Sequence, residues 1–304
     1  MSRTVLLLLC AAGFLSLAGC KTIAIGAAAD AVAGTGDVFA SDEDPELVRD
    51  AIPFALKTME ALAAEKPDDQ ELLLALASGF TQYGYAFVQA DADAADLRGD
   101  LDAARAGRAR AKKLYLRARD YGLRALAERH EDLDAKLRAG REPQRVLREV
   151  DEKDDVPFLY WTASAWALAI ASGKDDIGLV AELPVPIAMM ERALALDEGW
   201  NEGAIHEFFV TYDATRSAAE GGGRDRVREH LERALALSMN KKLGPRVSYA
   251  EGVLVQAQDR AEFTRVLEEV LAADPGEVPR YRLANILAQR RAKLLLAHVD
   301  DLFL

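Results

Sequence analysis

The sequence is nearly without cysteine: of 304 residues, only Cys10 and Cys20 carry a thiol. One pair excludes a disulfide framework and the multi-cysteine metal sites that staple small domains. Histidine is also scarce. His130, His206, His230 and His298 lie far apart, and no His-Glu-x-x-His occurs. A metal site is therefore not expected. A phosphate-cradling loop is missing too. Gly221-Gly222-Gly223-Arg224 lacks the Lys-Ser/Thr that would reach a phosphate and follows no strand pattern. No Gly-x-Ser-x-Gly elbow is present. Acid pairs abound, but among 50 Asp and Glu residues they do not mark acid/base chemistry. The expectation is a protein without catalytic residues, metal or cofactor.

Strand-like alternation is almost absent, and so is a membrane-spanning run. The apolar stretch at residues 5–18 covers about 14 residues, short of the roughly 20 a helix needs to cross a bilayer. The formal net charge is −12, a poor fit to nucleic acid. One basic run (Arg105, Arg108, Arg110, Lys112, Lys113, Arg117, Arg119, Arg124) runs against this balance. Its members fall all round a helix, which reads as a solvated helix paired with nearby acids rather than a docking patch.

What is present begins at the N-terminus. A short start with Arg3, the apolar run, and then Leu17-Ala18-Gly19-Cys20 form a lipobox. The small residues fit a narrow peptidase cleft, and the cysteine thiol takes a diacylglycerol. Residues 1–19 are expected to be a signal peptide. Cys20 is expected to be the lipidated first residue of the mature chain, anchored to a membrane without spanning it. Lys21 after the cysteine favours the outer membrane by the enterobacterial sorting rule. Residues 20–44, Ala/Gly-rich and then acidic, read as a tether. Residues 45–304 form the folded domain.

That domain has helical periodicity nearly throughout. Leu72, Leu76, Phe80, Tyr83 and Phe87 step by three or four, and so do Leu114, Ala118, Tyr121 and Ala125. Breakers such as Pro67-Asp68-Asp69, Gly173, Gly244-Pro245 and Pro275-Gly276 mark off helices of roughly 12 to 25 residues. A repeat is visible: Met190-Glu191-Arg192-Ala193-Leu194-Ala195-Leu196 recurs as Leu231-Glu232-Arg233-Ala234-Leu235-Ala236-Leu237. It recurs more loosely at residues 267–273, and an early copy sits at 61–67. Offsets of 41 and 36 residues suit helix-turn-helix repeats. The expected fold is all-α: degenerate tetratricopeptide-type repeats forming a compact, solenoid-like helical body.

Aromatic residues gather on three helices: Phe80, Tyr83, Tyr85 and Phe87; Tyr160, Trp161 and Trp166; Phe208, Phe209 and Tyr212. Core packing explains them, and so does the wall of an apolar pocket. On the second reading, Tyr83, Tyr121, Trp161, Trp166 and Phe209 are the candidate ligand-binding residues.

Several stretches in order resemble one family. They are residues 78–87 (Ser-Gly-Phe-Thr-Gln-Tyr-Gly-Tyr-Ala-Phe), residues 110–121, and Tyr160-Trp161-Thr162-Ala163-Ser164-Ala165-Trp166. Gly222-Gly223 before an Arg-x-x-Leu-Glu-Arg-Ala-Leu helix, and the ending from Leu283 to Ala292 with Leu302-Phe303, complete the set. Together they resemble the T-component (TatT) lipoproteins of TRAP transporters, over nearly the whole mature chain. The chain departs at Ser217-Ala218-Ala219-Glu220, where the family tends to have a proline. The resemblance implies association with a periplasmic solute-binding protein, the P-component, and a homotrimer. It also implies an apolar cleft or pore handling a hydrophobic ligand or an organic acid with an apolar tail. It fixes no catalytic residue. The rival expectation is a generic helical-repeat scaffold lipoprotein for envelope assembly.

Overall fold

The computed structural model describes residues 36–139 and 141–304. The signal segment and Cys20 lie outside the described residues. Among the described residues every regular element is helical. The principal helices are α1 (Gly36–Ala40), α2 (Pro45–Glu65), α3 (Gln70–Tyr83), α4 (Ala90–Leu97), α5 (Leu101–Arg129) and α6 (Val156–Ala171). They continue as α7 (Pro184–Leu196), α8 (Ala204–Ala214), α9 (Arg224–Leu237), α10 (Gly244–Tyr249), α11 (Arg260–Ala272) and α12 (Arg282–Ala297). Two π-helical turns extend this set: Gly84–Gln89 joins α3 to α4, and Ala250–Leu254 continues α10.

Local chemistry sets the ends. Asp44, Asp69, Asp100 and Asp259 cap α2, α3, α5 and α11, each carboxylate accepting from the free backbone N–H groups of the first turn. Proline stands in the first turn of α2, α6, α7 and α10, where its missing N–H costs nothing. The departing loop at 217–220 needs no proline. Ser217 and Glu220 form a capping box, and Gly221 and Gly223 take left-handed φ of +85° and +90°.

Neighbouring helices run antiparallel. Along α5, Arg129 meets Gln70 at one end and Gly107 meets Ala92 at the other, so α5 lies against α3 and α4 in reverse. Helix α5 also meets α6, with Arg129 on Asp155 and Arg119 on Trp166, and α6 touches α3 as well. At Gly122 the two backbones approach so closely that a Cβ would collide with Thr162 Oγ1, which already donates to the carbonyl of Phe158. Helices α6 and α7, then α8 and α9, then the α10 run and α11, form successive pairs. The second helix of each pair ends in one of the three late repeat copies.

The array then returns to its start. Arg290 of α12 donates to Glu46 of α2 at 2.5 Å, and Arg282 donates to the carbonyl of Ser41 at 3.0 Å. Leu283 and Leu287 pack on the main core, which runs from α2 to α8, while Leu97 packs on the C-terminal core around Phe263 and Leu267. Residues 36–44, assigned by sequence to the tether, contribute here through α1, which packs against α12. Buried Asn285 braces the closure. Its carbonyl accepts from the Leu243 N–H and its amide donates to the Lys241 carbonyl. The C-terminal helix α12 thus packs back on α1 and α2 at the start of the described residues. Among the described residues no helix is long and apolar enough to cross a membrane.

Candidate functional site

The two π turns approach each other at a polar interior region. A π turn adds a residue to the helical period and rotates the side chains beyond it. In the first, Tyr83 and Phe87 stay in the core while Tyr85 turns outward, 55% exposed. Gly84 makes this fit, since a Cβ there would come within 2.7 Å of the Tyr115 ring. The second π turn carries Glu251, which accepts from Nε of Arg291 at 3.1 Å and also from its Nη2. Arg291 Nη1 is buried without an acceptor.

Tyr85 is reached by water, yet desolvation pushes its hydroxyl up to about 12, with Glu251, Asp93 and Glu207 adding to the rise and Arg291 opposing it. Tyr85 is thus half-exposed while charged groups from several helices act on it. Burial also raises Asp93, against the pull of Arg291 and Arg108. It raises Tyr160, with Glu207 next in size, and it raises Tyr115, with Tyr85 and Asp93 adding to the effect. Groups from α4, α5, α6, α8, α12 and both π turns therefore feel one another's charge across the interior.

Aromatic rings line one side of this region. Tyr160 lies 4.6 Å from Trp200 and 5.0 Å edge-on from Trp161, centroid to centroid. Glu207 stands nearby with Lys242 at 3.3 Å, an ion-pair distance without hydrogen-bond alignment, so Glu207 Oε1 lacks a hydrogen bond. Lys242 donates instead to the Asn201 carbonyl at 2.7 Å. Burial raises the Glu207 carboxyl while Lys242 holds it down.

The residues singled out by sequence are spread through the body. Tyr83 is buried beside Phe87, with Arg110 at 3.4 Å from its hydroxyl. Tyr121 stacks on Phe80 and donates to Glu60 at 2.9 Å. Trp166 is 1% exposed and donates to Glu182 at 2.7 Å under the Arg119 guanidinium. Phe209 stacks on His230 and borders a separate cleft of about 250 Å³. Trp161, half-buried beside Tyr160, is the one of the five adjoining the aromatic side of the interior. Sequence reasoning did not select Tyr85, Asp93, Tyr160, Trp200, Glu207, Glu251 or Arg291. Tyr85 and Tyr160 stood within its aromatic clusters, but no local signal distinguishes them from their core neighbours. Among the described residues no group of three or more His, Cys, Asp or Glu is arranged to hold a metal.

A family model described as the TRAP transporter T-component matches residues 41–303. The chain belongs to that family. A protein of Treponema pallidum (strain Nichols), itself named only as uncharacterised, is 30% identical over 269 residues, 88% of this chain and 83% of the relative. This T-component is thus an accessory part of a transport system. The matched span takes in α2 to α12 and every interior residue named above.

Proposed function

We propose that this T-component is a lipoprotein anchored through Cys20 on the periplasmic face of a bacterial membrane, the outer more than the inner. There it binds the periplasmic solute-binding protein of its transporter and lodges or passes a ligand with an apolar body and an acidic head. The observation that carries the ligand reading is Tyr85: exposed to water, yet hemmed in by the groups of both π turns. Tyr160, Trp161 and Trp200 offer rigid apolar area with little rotamer freedom to lose. Arg291 Nη1 offers an unsatisfied donor to a carboxylate. Burial of apolar surface at about 25 cal/mol per Å² suits a tail of this kind. Membership of a transporter family supports transport over envelope assembly. The homotrimer is part of the same proposal, with each protomer keeping its own interior.

A bromine-labelled decanoic acid tests the ligand reading, because bromine quenches nearby indole fluorescence. Quenching should saturate in the wild type and shift to about tenfold higher concentration in Tyr160→Ala, a loss of about 1.4 kcal/mol. Equal affinity in both would remove the interior site. Co-elution of the mature chain with the cognate solute-binding protein tests the partner, and failure to co-elute at micromolar concentrations would remove that part.

A further inference from the structure

Away from the interior, α8 and α9 carry a chain of titratable groups that no transport role uses, with His206, His230 and Asp213 buried and Glu198 exposed. Glu198, before α8, takes two hydrogen bonds from Arg233, at 2.6 and 2.8 Å. It also contacts His206 Nε2 at 3.1 Å, and His206 Nδ1 lies 2.8 Å from His230 Nδ1. His230 Nε2, buried and without a hydrogen bond, points at Asp213 Oδ2 at 3.6 Å. Asp213 is itself 3% exposed, and its other cationic neighbours stand off as well: Arg216 at 3.6 Å and Arg226 at 3.9 Å.

Hydrogen-bond direction fixes the protons along this chain. The clamp of Arg233 holds Glu198 down to about 2, with burial opposing and His206 assisting, so Glu198 is an acceptor only. His206 Nε2 must then carry a hydrogen and donate. If His206 is neutral its Nδ1 accepts, so His230 Nδ1 must donate. A neutral His230 then has a bare Nε2, which turns its lone pair towards the Asp213 carboxylate. Both rings cannot be fully protonated, because two Nδ1–H groups would meet at 2.8 Å. The chain is therefore short of one proton, and the 3.6 Å gap between His230 and Asp213 is its place.

We propose that the Glu198–His206–His230–Asp213 chain is a one-proton switch. Uptake of a single proton between His230 Nε2 and Asp213 closes the gap, draws the carboxylate from Arg216 and Arg226, and loosens the loop at 216–223. Besides these groups, the charges around the chain are Arg233 and Glu229 on α9, Glu220 in the loop and Glu191 on α7. The segment of the α10 run packed against α8 and α9 brings Val253 and the half-buried Tyr249, and the same run carries Arg246 and Glu251, the latter held by Arg291. The loop borders the cleft lined by Phe209, Tyr212, Arg216 and Arg226, and its Gly223 N–H donates to the Asp213 carbonyl at 3.1 Å. Neutralising the Asp213 carboxylate weakens its pull on Arg216, the first residue of that loop. Burial lowers His230 and raises Asp213, so the two share one macroscopic titration on the acid side of neutrality.

The test is nitrogen NMR of the histidine rings in the mature chain from pH 7.5 to 4, with amide exchange of residues 216–223 followed in parallel. Expected are a bare His230 Nε2 at pH 7.5 and uptake of one proton, not two, by the His206–His230 pair. Exchange in the loop should accelerate several-fold over the same midpoint. In Asp213→Asn the amide can donate to the bare Nε2, so uptake and the exchange step should both disappear. A His230 Nε2 already protonated at pH 7.5, or independent uptake of two protons, overturns the proposal. So does loop exchange that ignores the wild-type titration. The wild-type measurements decide the matter even if Asp213→Asn does not fold.

Discussion

Glu251 accepts from both Nε and Nη2 of Arg291, and this two-pronged contact ties the second π turn to α12 beside Tyr85. The side chain of Arg291 is 22% exposed and that of Glu251 is 42% exposed, so the pair lies between a surface bridge and a buried one. Glu251→Ala leaves a second and third donor of a mostly buried guanidinium unsatisfied. Loss of about 1–3 kcal/mol is expected in urea unfolding. Glu251→Gln keeps an acceptor and should lose less. Equal stability of all three proteins would mean that the packing of α12 does not depend on this contact.

Trp166 and Trp161 should behave differently when truncated. Trp166 is 1% exposed and its indole N–H donates to Glu182, so Trp166→Ala should cost about 3–5 kcal/mol. Trp161 is half-buried and makes an edge contact with Tyr160, so Trp161→Ala should cost clearly less and weaken quenching by the brominated acid. Denaturation midpoints of the two variants separate the roles. A larger loss at Trp161 would reverse the assignment of core and lining.

Stability should fall in mild acid. Burial holds both His206 and His230 below the ordinary imidazole value, His230 at about 4. Their unfolded counterparts take up protons near pH 6.5. Between about 6.5 and about 4 the unfolded chain therefore binds more protons, and folding weakens as pH falls through that window. Asp93, Glu207 and Asp213, raised by burial, work the other way over the lower part, so the histidines act alone only in the upper part. The melting temperature should drop from pH 7 to pH 5, and His230→Gln should flatten the slope. A wild-type melting temperature that stays level across the window would contradict this.

Lipidation is checked at the N-terminus. Mass spectrometry of the mature protein should find an acylated Cys20, and Cys20→Ala should release the protein from membranes. An uncleaved leader or an unmodified cysteine would dispose of the anchor.

Much of the architecture was open to reading in one dimension, because its causes are local. Apolar spacing of three and four, Asp caps and first-turn prolines set the helices near where periodicity puts them. Leu72, Leu76 and Phe80 are indeed core residues of α3. The repeat copies at 190–196 and 231–237 end α7 and α9. The order of the aromatic stretches pointed to the family before any coordinate did.

The site was not legible in this way, and the reason is distance along the chain. Tyr85, Glu207, Glu251 and Arg291 span more than two-thirds of the sequence and share a neighbourhood only in the folded chain, where Arg291 of α12 meets Glu251 of the second π turn. The π turns compound the difficulty. They shift the helical phase beyond Tyr85 and Glu251, so nothing in a 3.6-residue pattern shows that the two approach each other. The proton chain is hidden for the same reason, since His206 and His230 meet through the antiparallel pairing of α8 and α9. Periodicity determined which residues form helices. Tertiary closure decided which of their faces look inward, because that depends on contacts between helices rather than on forces within them.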